Sequence, residues 1–301
     1  MKKKILRSPL FYVGDKYKLM SEIGSHFPNN IGKFVEPFVG GGSVFMNTIA
    51  EQYYLNDIDC YIISLHKYLC KAANKQTSFF AHIENIIKEY GLSCSYKENT
   101  IPCELKKQYK KTYFAKYNKI AYKQMRTDFN ESLKGDMSIL YLLLIYGFNR
   151  MLRFNKRGDF NLPVGNVDFN SNVVFALEDY FQEVKNKKPK WYNLDYKVFL
   201  KRIHLSEDDF IYLDPPYLIT FSEYNKLWDE QDEKDLLQLL DQLDERNIRF
   251  AISNVTHYKD RQNDIFIEWA QKYHTHPIKS NYISYHDNSI KQFNEVLITN
   301  Y

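Results

Sequence analysis

Four consecutive residues, Asp214-Pro215-Pro216-Tyr217, follow a short apolar segment that ends at Leu213, and they could perform chemistry on an amino group. An amino group attached to an aromatic ring is a poor nucleophile, because its lone pair is delocalised into the ring. The carboxylate of Asp214 and the carbonyl of Pro215 offer two acceptors for its N–H groups, which would direct the lone pair toward an electrophilic carbon. The prolines stiffen the turn, and the ring of Tyr217 offers a stacking face for a base. The motif predicts group transfer to a ring amine, with a plain strand-ending turn as the alternative.

A glycine-rich segment at positions 36–43 indicates a nucleoside site. Gly40 and Gly42 lie between a predicted strand and a predicted helix, where residues without a Cβ allow a tight turn and close approach of a ligand to the backbone. A dinucleotide site would favour a third small residue where this chain has Phe45, and the sequence contains no Gly-Lys-Ser/Thr phosphate loop. We therefore predict a nucleoside ligand without a pyrophosphate, with Asp57 placed to accept hydrogen bonds from its ribose. The alternative is a turn with an acid that caps a helix.

The apolar segments predict a doubly wound α/β sheet of the Rossmann-like type. Both motifs follow short β-prone segments, and a helix with leucines on one face is predicted after the second motif. The predicted strands are 34–35, 53–55, 210–213 and 249–253, the predicted helices are 44–50 and 228–246, and a late hairpin would pair 273–284 with 295–300.

The distance between the two motifs predicts an inserted domain. Phe38 and Asp214 are 176 positions apart. Consecutive βα units of roughly 30 residues would bring a fourth strand about 90 residues after the first, so roughly 80 residues are surplus. Part of the surplus is basic and interleaved with aromatic residues, which favours contact with nucleic-acid phosphates, with a solvated helix face as the alternative. Between positions 105 and 127 the basic residues are Lys106, Lys107, Lys110, Lys111, Lys116, Lys119, Lys123 and Arg126, and there is no acid.

Other features argue against several classes of protein. The four cysteines show no CxxC spacing, so we expect neither a zinc site nor a disulfide framework, and a reducing cytoplasmic setting fits. His274 and His276 lack a nearby cluster of acids or cysteines, so we expect no metal site. The longest apolar run, 139–148, is too short to cross a bilayer, and the basic first residues run into a proline too early for a signal peptide.

The order of these blocks resembles the Dam-like DNA adenine-N6 methyltransferases, the D12 class or α group. Residues 12–16, Tyr-Val-Gly-Asp-Lys, are similar to the family's Trp-x-Gly-Gly-Lys, with Tyr12 in place of Trp and Asp15 in place of the second glycine. Residues 36–45 resemble the cofactor loop, 56–59 the ribose-binding strand end, and 194–196 the pocket of the cofactor's adenine ring. The resemblance implies S-adenosylmethionine as the cofactor, with contacts from Tyr12, Lys16, Glu36, Phe38, Gly40, Gly42, Asp57, Asp195, Tyr196 and Asp214.

A further block, from Gly147 to Gly165, is similar to the family's DNA-reading segment. The resemblance implies that Arg153 reads a guanine and that Met151 is an apolar wedge beside a flipped base, with Asn149 and Asn155 as further DNA contacts. An arginine that donates two hydrogen bonds to a guanine edge is sound physics in its own right. The alternative is that Arg153 pairs only with a phosphate.

We predict a Rossmann-like catalytic domain over 1–66 and 190–301 and a mostly helical target-recognition domain over 67–189. The resemblance implies a monomer that flips an adenine out of a short, GATC-like duplex site and methylates N6, with a restriction endonuclease acting separately. One rival is N4-cytosine methylation, although that group more often has Ser in place of Asp214. Others are an RNA or protein-glutamine target and an idle DNA-binding module that kept the fold.

Overall fold

The computed structural model describes residues 4–97, 101–220, 228–279 and 293–301. Its packing divides the chain into two compact units. The helical unit comprises Met1–Tyr17, Gly40–Met46 and Asp59–Lys188, and the sheet unit comprises Lys18–Val39, Asn47–Ile58 and Pro189–Tyr301. These units are defined by how densely their residues contact one another. The boundaries near residues 66 and 190 between the catalytic and target-recognition domains stay a prediction.

The described residues of the sheet unit form one eight-stranded sheet with the order β3-β2-β1-β4-β5-β8-β7, and β6 pairs with β5. The first five strands of this order are parallel to one another, while β8 is antiparallel to both β5 and β7. The strands are β1 (Lys33–Glu36), β2 (Gln52–Asn56), β3 (Lys190–Tyr192), β4 (Phe210–Leu213), β5 (Arg249–Tyr258), β6 (Arg261–Gln262), β7 (His274–Ile278) and β8 (Phe293–Thr299).

The strand order explains where a site can form. The chain runs outward from β1 to β3 and then crosses back to β4, so β1 and β4 are neighbours and Phe34 pairs with Phe210. Ligands of such sheets bind beyond the carboxyl ends of the strands where the order reverses. The predicted α/β class and the strands that precede both motifs are confirmed. The predicted late hairpin forms between β7 and β8, while residues 280–284 of that prediction lie outside the described residues.

Three helices cover one face of this sheet. The amphipathic helix predicted at 228–246 is present and starts at Glu230, because the side chain of Asp229 caps it by accepting from the backbone of Gln231 and Asp232 at 2.8 and 3.0 Å. Leu236 and Leu240 are fully buried in the same core as the strand residues. The helices of the sheet unit are α1 (Met20–Ile23), α9 (Tyr196–Arg202), α10 (Glu230–Asp244) and α11 (Asp264–Ala270), with a 3-10 turn at Gly24–His26.

The helical unit is built around α7 (Met137–Tyr146), in which every residue from Ser138 onward is buried. A helix that is apolar on all sides belongs in a core, so the long apolar run of the sequence is the centre of this unit. None of the helices in the described ranges has both the length and the apolar character that a membrane span requires. The other helices are α3 (Cys60–Ala72), α4 (Gln76–Tyr90), α5 (Cys103–Gln108), α6 (Tyr113–Glu131) and α8 (Ser171–Lys187), and α2 (Ser43–Asn47) starts in this unit.

The burial of α7 makes its leucines the most sensitive positions of the helical unit. Leu143 is fully buried, so Leu143→Ala should lower the free energy of unfolding by about 2–5 kcal/mol through lost apolar contacts and a residual cavity. Ile120 in α6 is 84% exposed, and Ile120→Ala should change the stability by less than about 0.5 kcal/mol. Guanidinium chloride titration followed by circular dichroism compares the two variants. Equal effects would contradict the assignment of α7 as the core.

Candidate active site

The residues of the Asp-Pro-Pro-Tyr motif are held by their own hydrogen bonds. Strand β4 is buried along its whole length, and the half-buried Asp214 follows it directly. The hydroxyl of Tyr217 donates to Oδ1 of Asp214 at 2.8 Å and lies 3.2 Å from Oε1 of Glu295. The carbonyl of Tyr217 accepts from the backbone N–H of Thr220 at 3.2 Å, which closes a turn after the motif. The hydroxyl of Tyr217 is therefore anchored beside the carboxylate of Asp214.

Glu295 is a site residue that sequence reasoning missed. It lies in β8, is only 2% exposed, and contacts the motif from a position 78 residues further along the chain. A glutamate is rarely buried this deeply without a polar partner. A carboxylate followed by four apolar or uncharged strand positions, Val296 to Thr299, was the available signal, but the sequence contains no mark of which residue it meets.

Asn56 joins the loops that follow three neighbouring parallel strands. Its amide nitrogen donates to the carbonyls of Pro37 at 3.0 Å and Leu194 at 2.9 Å, and its amide oxygen accepts from the N–H of Leu194 at 3.0 Å. Its backbone carbonyl accepts from the N–H of Val39 at 2.8 Å. The half-buried Asp57 comes next in the chain. The hydrogen bonds of Asn56 therefore hold the backbone beside the residue that is predicted to bind the ribose.

An aromatic cluster of Phe38, Tyr196 and Trp228 lies in the sheet unit. The ring of Phe38 lies 5.3 Å from the ring of Tyr196 and 6.0 Å from that of Trp228. The hydroxyl of Tyr196 is buried and has no hydrogen-bond partner within the described part of the chain. Asp195 is exposed and caps α9, because its Oδ1 accepts from the backbone of Lys197 at 2.9 Å.

Trp228 is held by a buried carboxylate that the sequence analysis did not identify. Oε2 of Glu233 accepts from the indole N–H of Trp228 at 2.8 Å, and Oε1 accepts from the amides of Asn254 and Asn263 at 2.9 Å each. Glu233 is fully buried, and burial raises the pKa of its carboxyl group. Three donors on one glutamate fix Trp228 against the aromatic rings of the cluster.

The glycine loop has the backbone shape that its sequence predicts. Gly40 and Gly42 have φ angles of 47° and 82°, which are favourable only for glycine. A Cβ on Gly42 would lie 2.5 Å from the ring of Phe45, and a Cβ on Gly41 would lie 3.0 Å from the Cβ of Tyr12. Tyr12 therefore packs directly on the glycine loop within the helical unit.

Asp15, which replaces a glycine of the family pattern, links the same two segments. One carboxylate oxygen accepts from the backbone N–H of Tyr17 at 2.9 Å. Burial raises the pKa of Asp15, and a hydrogen bond from the Ser43 hydroxyl opposes that rise. Lys16 is 4% exposed, with Nζ 3.4 Å from the carbonyl of Gly14. The aspartate in place of glycine at position 15 therefore stabilises the loop of residues 12–16 through its side-chain hydrogen bonds.

His66 contacts the glycine loop through a ring nitrogen. The sequence did not identify this residue. Its Nε2 lies 2.9 Å from the carbonyl of Gly40, and its Nδ1 lies 2.9 Å from the hydroxyl of Tyr180. Burial lowers the pKa of His66 to about 4, so the ring is neutral at pH 7. A carbonyl only accepts, so Nε2 carries the proton and Nδ1 accepts from Tyr180.

The segment from Gly147 to Gly165 is a compact hairpin in the helical unit. Bridges join Gly147 to Val164 and Phe154 to Phe160. A Cβ on Gly165 would lie 2.6 Å from the carbonyl oxygen of Gly147, so only glycine permits this close approach. Gly147 and Gly165 are therefore explained by packing at the base of the hairpin.

The four predicted DNA contacts have different surroundings in this hairpin. Asn149 is exposed, Met151 is half-buried, and Arg153 is half-buried with Nε and Nη2 donating to the side chain and carbonyl of Asn161 at 2.8 Å each. The side-chain oxygen of Asn155 accepts from the backbone of Arg157 at 2.8 Å and Asp159 at 3.0 Å, which closes the tip of the hairpin. The structure thus shows a structural role for Asn155, and the DNA contacts of all four remain a prediction.

Comparison with known proteins agrees with this geometry. A family model described as D12 class N6 adenine-specific DNA methyltransferase matches residues 12–283. The chain belongs to this family. Membership accounts for the order of the blocks and for the mostly parallel sheet with its helices.

Curated relatives match nearly the whole chain. Type II methyltransferase M.FokI of Planomicrobium okeanokoites is 32% identical over 305 residues, which is 98% of this chain and 43% of the relative. Modification methylase StsI of Streptococcus sanguinis is 32% identical over 99% of this chain and 43% of its own length. DNA adenine methylase of Escherichia coli strain K12 is 30% identical over 91% of this chain and 87% of its own length. The chain thus spans less than half the length of the first two relatives.

The buried His66 makes the stability of this family member depend on pH. Its folded pKa of about 4 lies below the ordinary 6.5, so its contribution to stability is complete above pH 6.5 and is lost as the pH falls toward 4. Between pH 7 and pH 5 the wild type should lose about 2 kcal/mol more than His66→Gln. Urea titration at both pH values measures the difference. His204→Gln, at an exposed position, is the control and should follow the wild type; a His66→Gln variant that did the same would contradict the assignment.

Proposed function

We propose that this chain is a site-specific DNA adenine-N6 methyltransferase that takes its methyl group from S-adenosylmethionine. The observation that carries the proposal is the anchored pair at the carboxyl end of β4, where the Tyr217 hydroxyl donates to Asp214 at 2.8 Å. In a member of an adenine-specific family, this pair combines a carboxylate acceptor with an aromatic ring whose hydroxyl is bound to it.

The sheet unit has features that suit a bound adenosine. Asp57 lies at the end of β2, where a carboxylate can accept from ribose hydroxyls. Phe38 and Tyr196 provide aromatic surface for a purine, and the buried hydroxyl of Tyr196 lacks a partner among the described residues, as a group that awaits a ligand would. Ile58, which the sequence analysis did not assign, is 70% exposed beside Asp57 and offers apolar contact. The cofactor contacts of Tyr12, Lys16, Glu36, Gly40, Gly42 and Asp195 stay part of the proposal.

The chemistry follows from the acceptors of the motif. Bound S-adenosylmethionine supplies an activated methyl group on a sulfonium. Asp214 and the carbonyl of Pro215 accept the two N–H bonds of the adenine amino group, which directs its lone pair outward, and Pro216 limits the freedom of the turn. Asp214 then takes the proton that N6 loses on methylation. Tyr217 stacks on the base, which must leave the duplex to reach these groups.

The modified base decides between this function and its rivals. The chain is expressed in a host without DNA methylation, and the host DNA is sequenced by a single-molecule method that detects modified bases. We expect N6-methyladenine within one short motif, GATC or a related sequence. N4-methylcytosine at such a motif would overturn the adenine assignment, and unmodified DNA together with measurable S-adenosylmethionine binding would identify an idle module.

Asp214→Asn tests the role of the carboxylate. The amide presents a donor where an acceptor is needed, so methyl transfer should fall below a few per cent of wild type. S-adenosylmethionine and DNA affinity should change little, because Asp214 acts mainly on the transition state. Tritium transfer to duplex DNA and calorimetry give the two readouts. Asp260→Asn, at an exposed turn position, should keep full activity; substantial turnover by Asp214→Asn would remove Asp214 from this role.

We further propose that the hairpin of the helical unit reads the DNA sequence through Arg153. Asn161 engages Nε and Nη2 of Arg153, which orients the guanidinium and leaves both hydrogens of Nη1 for a base edge. The exposed lysines of α5 and α6, such as Lys119, would contact phosphates without regard to sequence.

Arg153→Ala should cost about 1–3 kcal/mol on the cognate site and should flatten discrimination at one base pair. Lys119→Ala is the matched comparison, since loss of a phosphate contact weakens all sequences alike and reduces the salt slope by about one. Titration of cognate and singly substituted duplexes at several salt concentrations separates the two effects. Uniform weakening by Arg153→Ala with site preference intact would make Arg153 a phosphate contact.

The relatives also suggest a setting. Two of them are named as a type II methyltransferase and a modification methylase. We propose that this chain acts as a monomer on bacterial or phage DNA in the cytoplasm. In this setting a restriction endonuclease would act separately on the same site.

A further inference from the structure

Two arginines of the helical unit lie against one phenylalanine ring. The guanidinium carbon of Arg150 is 4.1 Å from the centre of the Phe11 ring, and that of Arg7 is 4.5 Å from the same centre. Arg7 also lies 5.3 Å from the ring of Tyr17. One cation on an aromatic face is favourable, but a second cation beside it adds repulsion that the ring does not cancel.

The acids near this pair are engaged with other groups. Arg7 acts electrostatically on Asp15, whose carboxylate accepts from the Tyr17 backbone at 2.9 Å. Asp168 acts on Arg150, but its two oxygens accept from the backbone and the hydroxyl of Ser95 at 2.7 and 2.9 Å. Across the described ranges neither guanidinium forms an ion pair, and Nε of Arg150 is buried without a hydrogen-bond partner. Within the described residues, neither guanidinium is therefore in direct contact with a carboxylate.

The backbone around the pair is held in a disfavoured conformation. Phe11, Asn149 and Arg150 have φ angles of 48°, 53° and 50°, in the left-handed region that residues with a Cβ rarely occupy. The turn that carries Phe11 is closed by its N–H to the carbonyl of Ser8 at 3.2 Å, and the Ser8 hydroxyl donates to the carbonyl of Gly41. Such strain persists when the surrounding structure enforces it, and it concentrates at sites that bind ligands.

The chemistry of the pair identifies the ligand that it fits. Burial, followed by repulsion from Arg7, lowers the pKa of Arg150 to about 10, so both groups remain charged at pH 7. A guanidinium presents N–H donors in a planar fork that matches two oxygens of a phosphate. Arg150 also precedes the predicted DNA-reading residues Met151 and Arg153 directly in the hairpin.

We propose that Arg7 and Arg150 together bind one phosphate of the DNA backbone, with Phe11 as the platform that holds both guanidiniums. This proposal rests on the proposed function only in taking duplex DNA as the substrate. The phosphate supplies an anion in direct contact with both guanidiniums, and it offers an acceptor for N–H groups such as Nε of Arg150, which has no partner among the described residues. A single phosphate contact near the reading residues would set the register of the hairpin on the duplex.

The test replaces one phosphate at a time by a neutral methylphosphonate along a duplex that contains a GATC site, which is chosen without reference to methylation. Fluorescence anisotropy without cofactor measures the affinity of each duplex. Wild type should lose about tenfold or more at one phosphate, the scale of a lost charge-assisted contact. Arg150→Met and Arg7→Met should each bind the all-phosphate duplex more weakly than wild type does. In each variant, the methylphosphonate at that same position should reduce the affinity little further. The slope of log affinity against log salt should be reduced by about one. Arg202→Met, at an exposed position of α9 in the sheet unit, should keep the wild-type pattern.

Each outcome decides the proposal. Equal methylphosphonate profiles for wild type and both variants would overturn it, as would calorimetric binding of inorganic phosphate that Arg150→Met removes while the DNA profiles stay equal. Since Arg7 is exposed, Arg7→Met gives a result even if Arg150→Met fails to fold. The measurement needs no methyl transfer, so DNA without N6-methyladenine would defeat the proposed function and leave a position-specific phosphate effect standing.

Discussion

The amide of Asn56 is the interaction on which the arrangement of the sheet edge depends. It joins the loops after β1, β2 and β3 through hydrogen bonds to Pro37 and Leu194, and it is only 1% exposed. Removal of this amide would leave its buried partners without a hydrogen bond, because they cannot reach water. Each such group would lower the free energy of unfolding by about 1–3 kcal/mol. Phe38 and Asp57 are next to these bonds in the chain, so one side chain sets the starting positions of the residues proposed to hold the cofactor.

Buried carboxylates position the remaining side chains at this end of the sheet unit. Glu233 holds Trp228 against Phe38, and Glu295 lies beside the hydroxyl of Tyr217 that donates to Asp214. Burial of a carboxylate is unfavourable unless hydrogen bonds offset the loss of water. Here Glu233 accepts from the indole N–H of Trp228, and Glu295 accepts from the hydroxyl of Tyr217.

The side chains of the hairpin in the helical unit are also held in place by neighbouring groups. The rings of Tyr61 and Phe154 stack at 4.1 Å with an angle of 12°, and Asn161 binds the guanidinium of Arg153. The Asn161 contacts restrict the guanidinium of Arg153 before any ligand binds, which lowers the entropy that a later contact would cost. Strained residues such as Asn149 fit this arrangement, since a rigid support can hold a conformation that a free loop would leave.

Local patterns determined much of this protein by themselves. The apolar run before Asp214, the glycines at 40 and 42, and the leucine spacing of α10 predict strand, loop and helix, because each depends on neighbours within a few positions. Only the tertiary structure decided which distant groups meet. Glu295 lies 78 residues from Tyr217, and His66 lies 114 residues from Tyr180, and no periodicity encodes such pairs. Their chemistry arises when burial removes water and leaves each polar group with the partner that the fold provides.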